Sequence, residues 1–277
     1  MPSLQEIKSR INSVVAIKKI TRAMQLVATS KLQKLRRHFS ASDQFFASLE
    51  AIFWPTLRHF GGAKTLFGDN PDAPVLWLVI TSDLGLSGSY NVNVLKLAQS
   101  QIGPQDRLIV VGTKGVRHFE TIGRSVDLAV SNLGENITYR LINQIVDRIG
   151  DFLLEQSVKD LRIVSTKYIN SISFEPLVWS LAEATRRAET SLDEELTEFE
   201  PKDVSIVHQM MPFFIAGLVF DKLVESKVSE MASRRIAMEN ATDNAAELID
   251  TLTVRYNQAR QAAITQEISE IVAGSQN

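Results

Sequence analysis

Two glycine turns are the first places where this sequence could do chemistry. Gly85-Leu86-Ser87-Gly88 follows the apolar run "APVLWLVITSD", and Gly112-Thr113-Lys114-Gly115 follows "DRLIVV". A glycine turn between a strand and a helix exposes backbone amides that attract phosphate and other anions. Neither turn has the spacing of a dinucleotide fingerprint or of a P-loop with its Lys and Ser/Thr. Both read as tight structural turns, with Asp83, Gly85 and Gly88 shaping the first. His38, His59, His118 and His208 are scattered without metal-ligand spacing. The six acids from Glu189 to Glu200 form one contiguous run, the pattern of a solvated linker rather than of an acid/base pair. With no cysteine, thiolate catalysis, disulfides and cysteine-based zinc sites are excluded. The expectation is therefore no catalytic residues, no metal and no cofactor.

Charge is distributed unevenly around a formal total of -2. Up to Ser40 there are nine Lys or Arg against the single acid Glu6. Such a basic start could meet nucleic-acid phosphates, but its charges are not interleaved with aromatics, which favours a solvated face or a protein contact. The longest apolar runs, Val75 to Ile80 and Met210 to Phe220, are shorter than the roughly 20 residues of a membrane helix. No direct membrane span is expected, although a partner could sit in a membrane. The basic start has no secretory apolar block, and its initiating Met suggests a bacterial chain without a transit peptide.

Three kinds of segment must position whatever these residues do. The first opens on Ser3 and Glu6, a capping-box pair that starts a helix near Leu4, unbroken before Pro55. Leu4, Ile7, Ile11 and Val14 keep spacings of three and four; Ile17, Ile20, Met24 and Val27 do so again after a slip of register, giving one apolar stripe. From about Pro71 to Ser205, strand-like runs at 75–80, in "DRLIVVGTKG" and in "KDLRIVSTKYIN" alternate with helical stretches at 91–101, 116–122 and 137–156. That alternation predicts an α/β layer domain with a mainly parallel sheet, and "SFEPLVWSLA" adds an edge strand if Pro176 falls inside it.

The last segment has no Gly or Pro between Gly217 and Gly274. Val224, Val228, Met231, Arg235, Met238, Thr242, Ala245, Ile249, Leu252, Tyr256, Ala259 and Ala263 follow a strict 3.5-residue period, the seam of a left-handed coiled coil. Several seam positions are small or polar, so the coil is thin. Glu239, Asp243 and Glu247 stack like charges along one side, which suits a segment whose countercharge comes from another protein. The two end helices are expected to pair antiparallel. The resulting domains are an N-terminal coiled-coil helix at 1–60, an α/β domain at 71–205 and a C-terminal coiled-coil helix at 206–277.

"KITRAMQLVATSKL" (19–32), "SDLGLSGSYN" (82–91) and "AMENATDNAAELI" with "YNQARQAAITQEISEIVAG" (within 237–274) together resemble the gamma subunit of F-type ATP synthases, at both ends and in the middle, in the right order. The resemblance implies a Rossmann-like α/β domain between the helices and a central rotor shaft, not catalytic alone, that couples proton translocation to ATP synthesis or hydrolysis. One copy would serve three α and three β subunits, with the α/β domain beside the epsilon subunit and the membrane c-ring. The place implied is the cytoplasmic face of a bacterial inner membrane.

By position, Arg260 and Gln261 match the family's contact with a β catch loop, where a guanidinium fork suits a carboxylate. Met24 matches a methionine near the lower lever of β, and Ile264, Ile268, Ile271 and Val272 match the shaft tip. The family usually reads "SDRGLCGG" where this chain has Leu84, Ser87 and Ser89. Asp83, Gly85, Leu86, Gly88 and Asn91 remain, so the turn is expected to survive without the family's arginine, and the cysteine-bearing regulatory insertion of chloroplast members is missing. Two other classes remain as alternatives: a nucleotide-binding α/β enzyme using Gly85 to Gly88, and a nucleic-acid-binding coiled-coil protein using the basic N-terminal face.

Overall fold

The computed structural model describes residues 3–67, 70–134, 137–189, 200 and 203–274. In chain order they form α1 (Leu4–His59), α2 (Ala63–Phe67), β1 (Val75–Ile80), α3 (Tyr90–Gln101), β2 (Arg107–Val111), α4 (Thr113–Thr121), β3 (Leu128–Val130), α5 (Tyr139–Leu154), β4 (Asp160–Tyr168), β5 (Phe174–Ser180), α6 (Leu181–Glu189) and α7 (Ser205–Gly274). The chain divides into two compact units, residues 1–30 with 234–277 and residues 31–233, each taking part of α1 and part of α7. The acidic run between Glu189 and Glu200 lies almost wholly outside the described residues.

The smaller unit is a two-helix coil. Its start is the capping box, with the Ser3 amide donating to Glu6 Oε2 at 2.8 Å and the Glu6 amide to Ser3 Oγ at 3.2 Å. Ile11 and Val14 cluster with Ala245, Ile249 and Leu252, and the Thr21 and Thr242 hydroxyls meet at 2.8 Å. Positions rising along α1 thus meet positions falling along α7, and the helices run antiparallel. On α7 the inward positions are Met238, Thr242, Ala245, Ile249, Leu252, Tyr256, Ala259 and Ala263, as the 3.5-residue period requires.

On α1 the structure corrects the expected stripe. The inward set runs through Ile7, Ile11 and Val14 and then through Thr21, Gln25 and Ala28, without a slip of register. Ile17, Ile20 and Val27 are each more than half exposed, and Met24 is half-buried. A seven-residue period admits one seam; a second apolar row offset by three residues has to point elsewhere.

In the larger unit a five-stranded sheet has the order β3-β2-β1-β4-β5. The first three pairings are parallel, and β5 returns antiparallel at the edge. The strand β3 was not visible as a strand in the sequence; it is three residues long. Pro176 lies inside β5, which tolerates it because an edge strand has one side without ladder bonds to lose. All six β1 residues are buried, which accounts for an unalternating apolar run, as in a sheet covered on both faces. Leu76, Leu78, Ile80, Ile109 and Ile163 meet α1, α5 and α7; Trp77, Val79, Leu108 and Val110 meet α3 and α4.

Within this unit α1 passes through Pro55 to end at His59. Phe53 stacks on Phe214 of α7 at 3.9 Å between ring centroids, and Trp54 Nε1 donates to Glu50 at 3.3 Å. This packing outweighs the one hydrogen bond a proline removes. By length and composition α7 is apolar enough to cross a membrane, with an 18-residue window of mean hydropathy 1.3. Half of that window is buried inside the protein, and Phe214, Ile215, Leu218, Val219 and Leu223 account for its apolar character.

Candidate functional site

The loop after β1 is built around one carboxylate. Asp83 Oδ1 accepts from the Thr113 amide at 3.0 Å, the Thr113 hydroxyl at 2.8 Å and the Asn132 amide at 2.9 Å, while Oδ2 accepts from the Leu133 amide at 2.7 Å. Three loops at the carboxyl ends of β1, β2 and β3 are thereby tied to one side chain. Burial alone would raise the Asp83 pKa, but the bonds from Thr113, Leu133 and Asn132 outweigh it and hold the carboxyl below its ordinary value.

Asp83 also occupies the donors a phosphate would need. At the start of α4 the Thr113 amide serves Asp83, the Lys114 amide donates to the Ser82 carbonyl at 3.0 Å, and the Gly115 amide donates to Thr81 Oγ1 at 2.9 Å. Gly112, at φ +100°, is needed because an added Cβ would run into the Thr81 carbonyl. In the first turn the Ser82 amide donates to Asn91 Oδ1 at 3.0 Å, and Asn91 Nδ2 donates to Ser82 Oγ at 2.8 Å. Leu86 and Gly88 have φ of 61° and 57°, so the glycine at 88 suits its backbone while Leu86 holds a conformation unusual for its type. Gly85 has no such need, since an added Cβ would meet Lys114 at an ordinary 3.6 Å. Leu84 and Leu86 are 70% and 63% exposed.

No group of three or more His, Asp or Glu suited to a metal occurs among the described residues. His38, His59 and His208 are exposed on separate helices or far apart along one. The open hollow on α5, lined by Tyr139, Arg140, Asn143, Gln144 and Asp147, offers no convergent acid and base.

The remaining candidates lie on the two-helix coil. Arg260 and Gln261 are exposed on α7. Ile264, Ile268 and Ile271 are exposed on the next turns, and the side chain of Val272 lies outside the described residues. On α1, Ile17, Ile20, Leu26 and Val27 are exposed around Met24. The coil's seam mixes Ile7, Val14, Met238 and Leu252 with small and hydroxyl side chains, and a second set of large apolar side chains faces outward, the arrangement of a surface that meets another protein. Arg235 Nη1 bonds Glu239 at 2.9 Å, while Asp243 and Glu247 are exposed.

Sequence reasoning named Asp83 as a residue of the first turn but missed its bonds to the loops after β2 and β3. The acid-to-amide bonds span 30 to 50 residues, and no local pattern encodes them. It also missed a row of buried serines on α7, at 226, 229 and 233, whose helical spacing was the available signal.

Comparison with known proteins agrees with this architecture. The family model described as ATP synthase matches residues 3–277. An ATP synthase gamma chain of Mycoplasmopsis pulmonis is 40% identical over 277 residues, covering 99% of each chain. One from Exiguobacterium sibiricum is 36% identical, again over 99% of each. Among solved structures, a chain of the Euglena gracilis mitochondrial ATP synthase (OSCP/F1/c-ring, rotational state 3) superposes with a TM-score of 0.75 at 17% identity, covering 99% of this chain and 93% of that one. A chain of the Tetrahymena thermophila mitochondrial ATP synthase (central stalk/c-ring) gives 0.63 at 22% identity over 80% and 99%. A seam of this period, an α/β insert in this order and identity along the whole length lead to one conclusion: the chain belongs to the ATP synthase gamma chain family.

Proposed function

We propose that this chain turns as the central-stalk rotor of an ATP synthase, carrying torque between a proton-driven membrane ring and catalytic β subunits. As a gamma chain it is a non-catalytic component of the membrane-associated synthase. The observation that carries the proposal is the apolar surface the coil leaves exposed beside its seam: Ile17, Ile20, Val27, Ile264, Ile268 and Ile271 all face outward. Apolar surface against a sleeve has few directional bonds to break as it turns. A two-helix coil has no threefold symmetry, so it presents a different face to each of three surrounding catalytic sites. The proposal includes one copy per three α and three β subunits.

In this arrangement Arg260 and Gln261 engage a carboxylate-bearing catch loop of β, and Met24 lies by a lever region of β. Ile264, Ile268, Ile271 and Val272 form the tip within the sleeve. The coil helices at 1–60 and 206–277 act as the shaft, and the α/β part at 71–205 as the foot beside the epsilon subunit and the c-ring. Bacterial relatives support association with a plasma membrane, and the proposal places the chain on its cytoplasmic face.

The test is ATP hydrolysis by the purified chain alone, by its cognate α and β subunits alone, and by the mixture. Stimulation in the mixture only, at one copy per three α and three β, is the expected result. Turnover by the chain alone, or no stimulation in the mixture, overturns the proposal.

A further inference from the structure

The end of β4 has a side that no strand covers. Pairing with β1 stops at Val79 with Val164, whereas pairing with β5 continues through Tyr168 with Phe174. Backbone groups of alternate residues point to the same side of a strand, so those of Thr166 and Tyr168 face the gap left by β1. A buried sheet edge with unpaired amides and carbonyls is costly.

Helix α7 fills that gap with side chains. The Thr166 amide donates to Ser226 Oγ at 3.5 Å, Ser229 Oγ donates to the Thr166 carbonyl at 3.2 Å, and the Tyr168 amide donates to Glu225 Oε1 at 3.2 Å. One turn on, Ser233 Oγ donates to the Ser87 carbonyl at 2.6 Å, in the loop that follows β1. Ser226, Ser229 and Ser233 share a helix face at spacings of three and four, and all are buried. Glu225 is held in turn by Lys222 Nζ at 3.1 Å. Leu32 of α1 packs with Val228 and Ala232, which are interleaved with these serines along α7.

Hydrophobic packing alone is non-directional and lets a helix slide or rotate on a sheet. Hydrogen bonds from helix side chains to sheet backbone fix both angle and register. We propose that Glu225, Ser226, Ser229 and Ser233 are positioning residues that form the torsional joint of this chain, locking α7 to the sheet so that rotation of one turns the other. This rests on the rotor proposal above.

The test uses the full chain assembled with its α, β and epsilon subunits and membrane sector in sealed vesicles, reading ATP hydrolysis and ATP-driven proton pumping together. The combined variant Ser226→Ala, Ser229→Ala, Ser233→Ala removes three hydroxyls and little volume. It is expected to assemble and hydrolyse ATP while protons pumped per ATP fall roughly threefold or more, within the range by which substitutions in a coupled network shift coupling. The control is Thr185→Ala, equally buried, whose hydroxyl donates only within its own helix, to the Leu181 carbonyl at 2.9 Å; it keeps the wild-type ratio. An unchanged ratio in the triple variant, or an equal fall in the control, overturns the joint. If the triple variant fails to assemble, Ser233→Ala alone is read by the same ratio, with the same two outcomes. A wild-type chain that supports no pumping removes the rotor proposal instead, which keeps the two failures apart.

Discussion

The two-helix coil and the α/β unit use the same two helices in opposite ways. Between residues 221 and 234 nearly every position of α7 is buried, and beyond residue 238 only Thr242, Ala245 and Leu252 are buried among the described side chains. The α/β unit fills its core with Trp77, Phe53, Phe119, Phe214 and a run of Leu and Ile, whereas the coil seam holds no aromatic side chain as deeply buried and mixes Ile7, Val14, Met238 and Leu252 with Ala28, Ala245 and a pair of threonines. The α/β unit concentrates large apolar side chains inside; the coil has a thin seam and leaves a second apolar row outside. Stability and function are thus drawn from different residues along one helix.

The most direct challenge to that contrast is to strain the α/β unit at its tightest point. Gly112→Ala forces a methyl onto the Thr81 carbonyl at a φ of +100° and is expected to cost about 3 kcal/mol or more, read from the urea midpoint. Asp83→Asn removes the charge that gathers three loops, at about 2 kcal/mol near neutral pH. Because the folded pKa of Asp83 is lowered, its contribution is fully present above the ordinary 3.8 and is lost as pH falls through the folded value. The gap between wild type and Asp83→Asn should therefore narrow below pH 3.8 in acid unfolding.

In the coil the same logic predicts smaller numbers. Leu252→Ala, one of the few large seam residues, is expected to cost about 2 kcal/mol and to speed amide exchange in residues 238–263 while leaving the sheet amides protected. Thr242→Val exchanges a seam hydroxyl for a methyl and is expected to change stability by less than about 1 kcal/mol, measured in the same exchange experiment. Smallest in stability is charge reversal at Glu239 and Asp243, within about 0.5 kcal/mol of wild type by thermal unfolding. That variant should nonetheless lower ATP-driven pumping; a folded variant with normal pumping would remove these acids from the coupling surface.

Local, repeated patterns are legible in the order of residues alone. The capping box at Ser3 and Glu6, the heptad from Met238 to Ala263 and the strand runs at 75–80 and 107–111 each depend on neighbours a few residues away, so periodicity reports them directly. The edge position of the strand with Pro176 is also readable, because proline removes a ladder bond wherever it sits. The three-residue β3 is not, being too short to show any period.

Composition and local pattern settle the kind of molecule: no cysteine chemistry, no phosphate motif, two seamed helices and an α/β insert between them. Packing in three dimensions settles which of the two apolar rows on α1 faces α7, because both rows satisfy helical spacing and the choice depends on the partner's seam. It likewise places Asp83 in the anion position above the sheet and sets serines of α7 along the edge of β4. Those bonds join groups 30 to 146 residues apart, and a hydrogen bond between distant residues leaves no trace in the order of either.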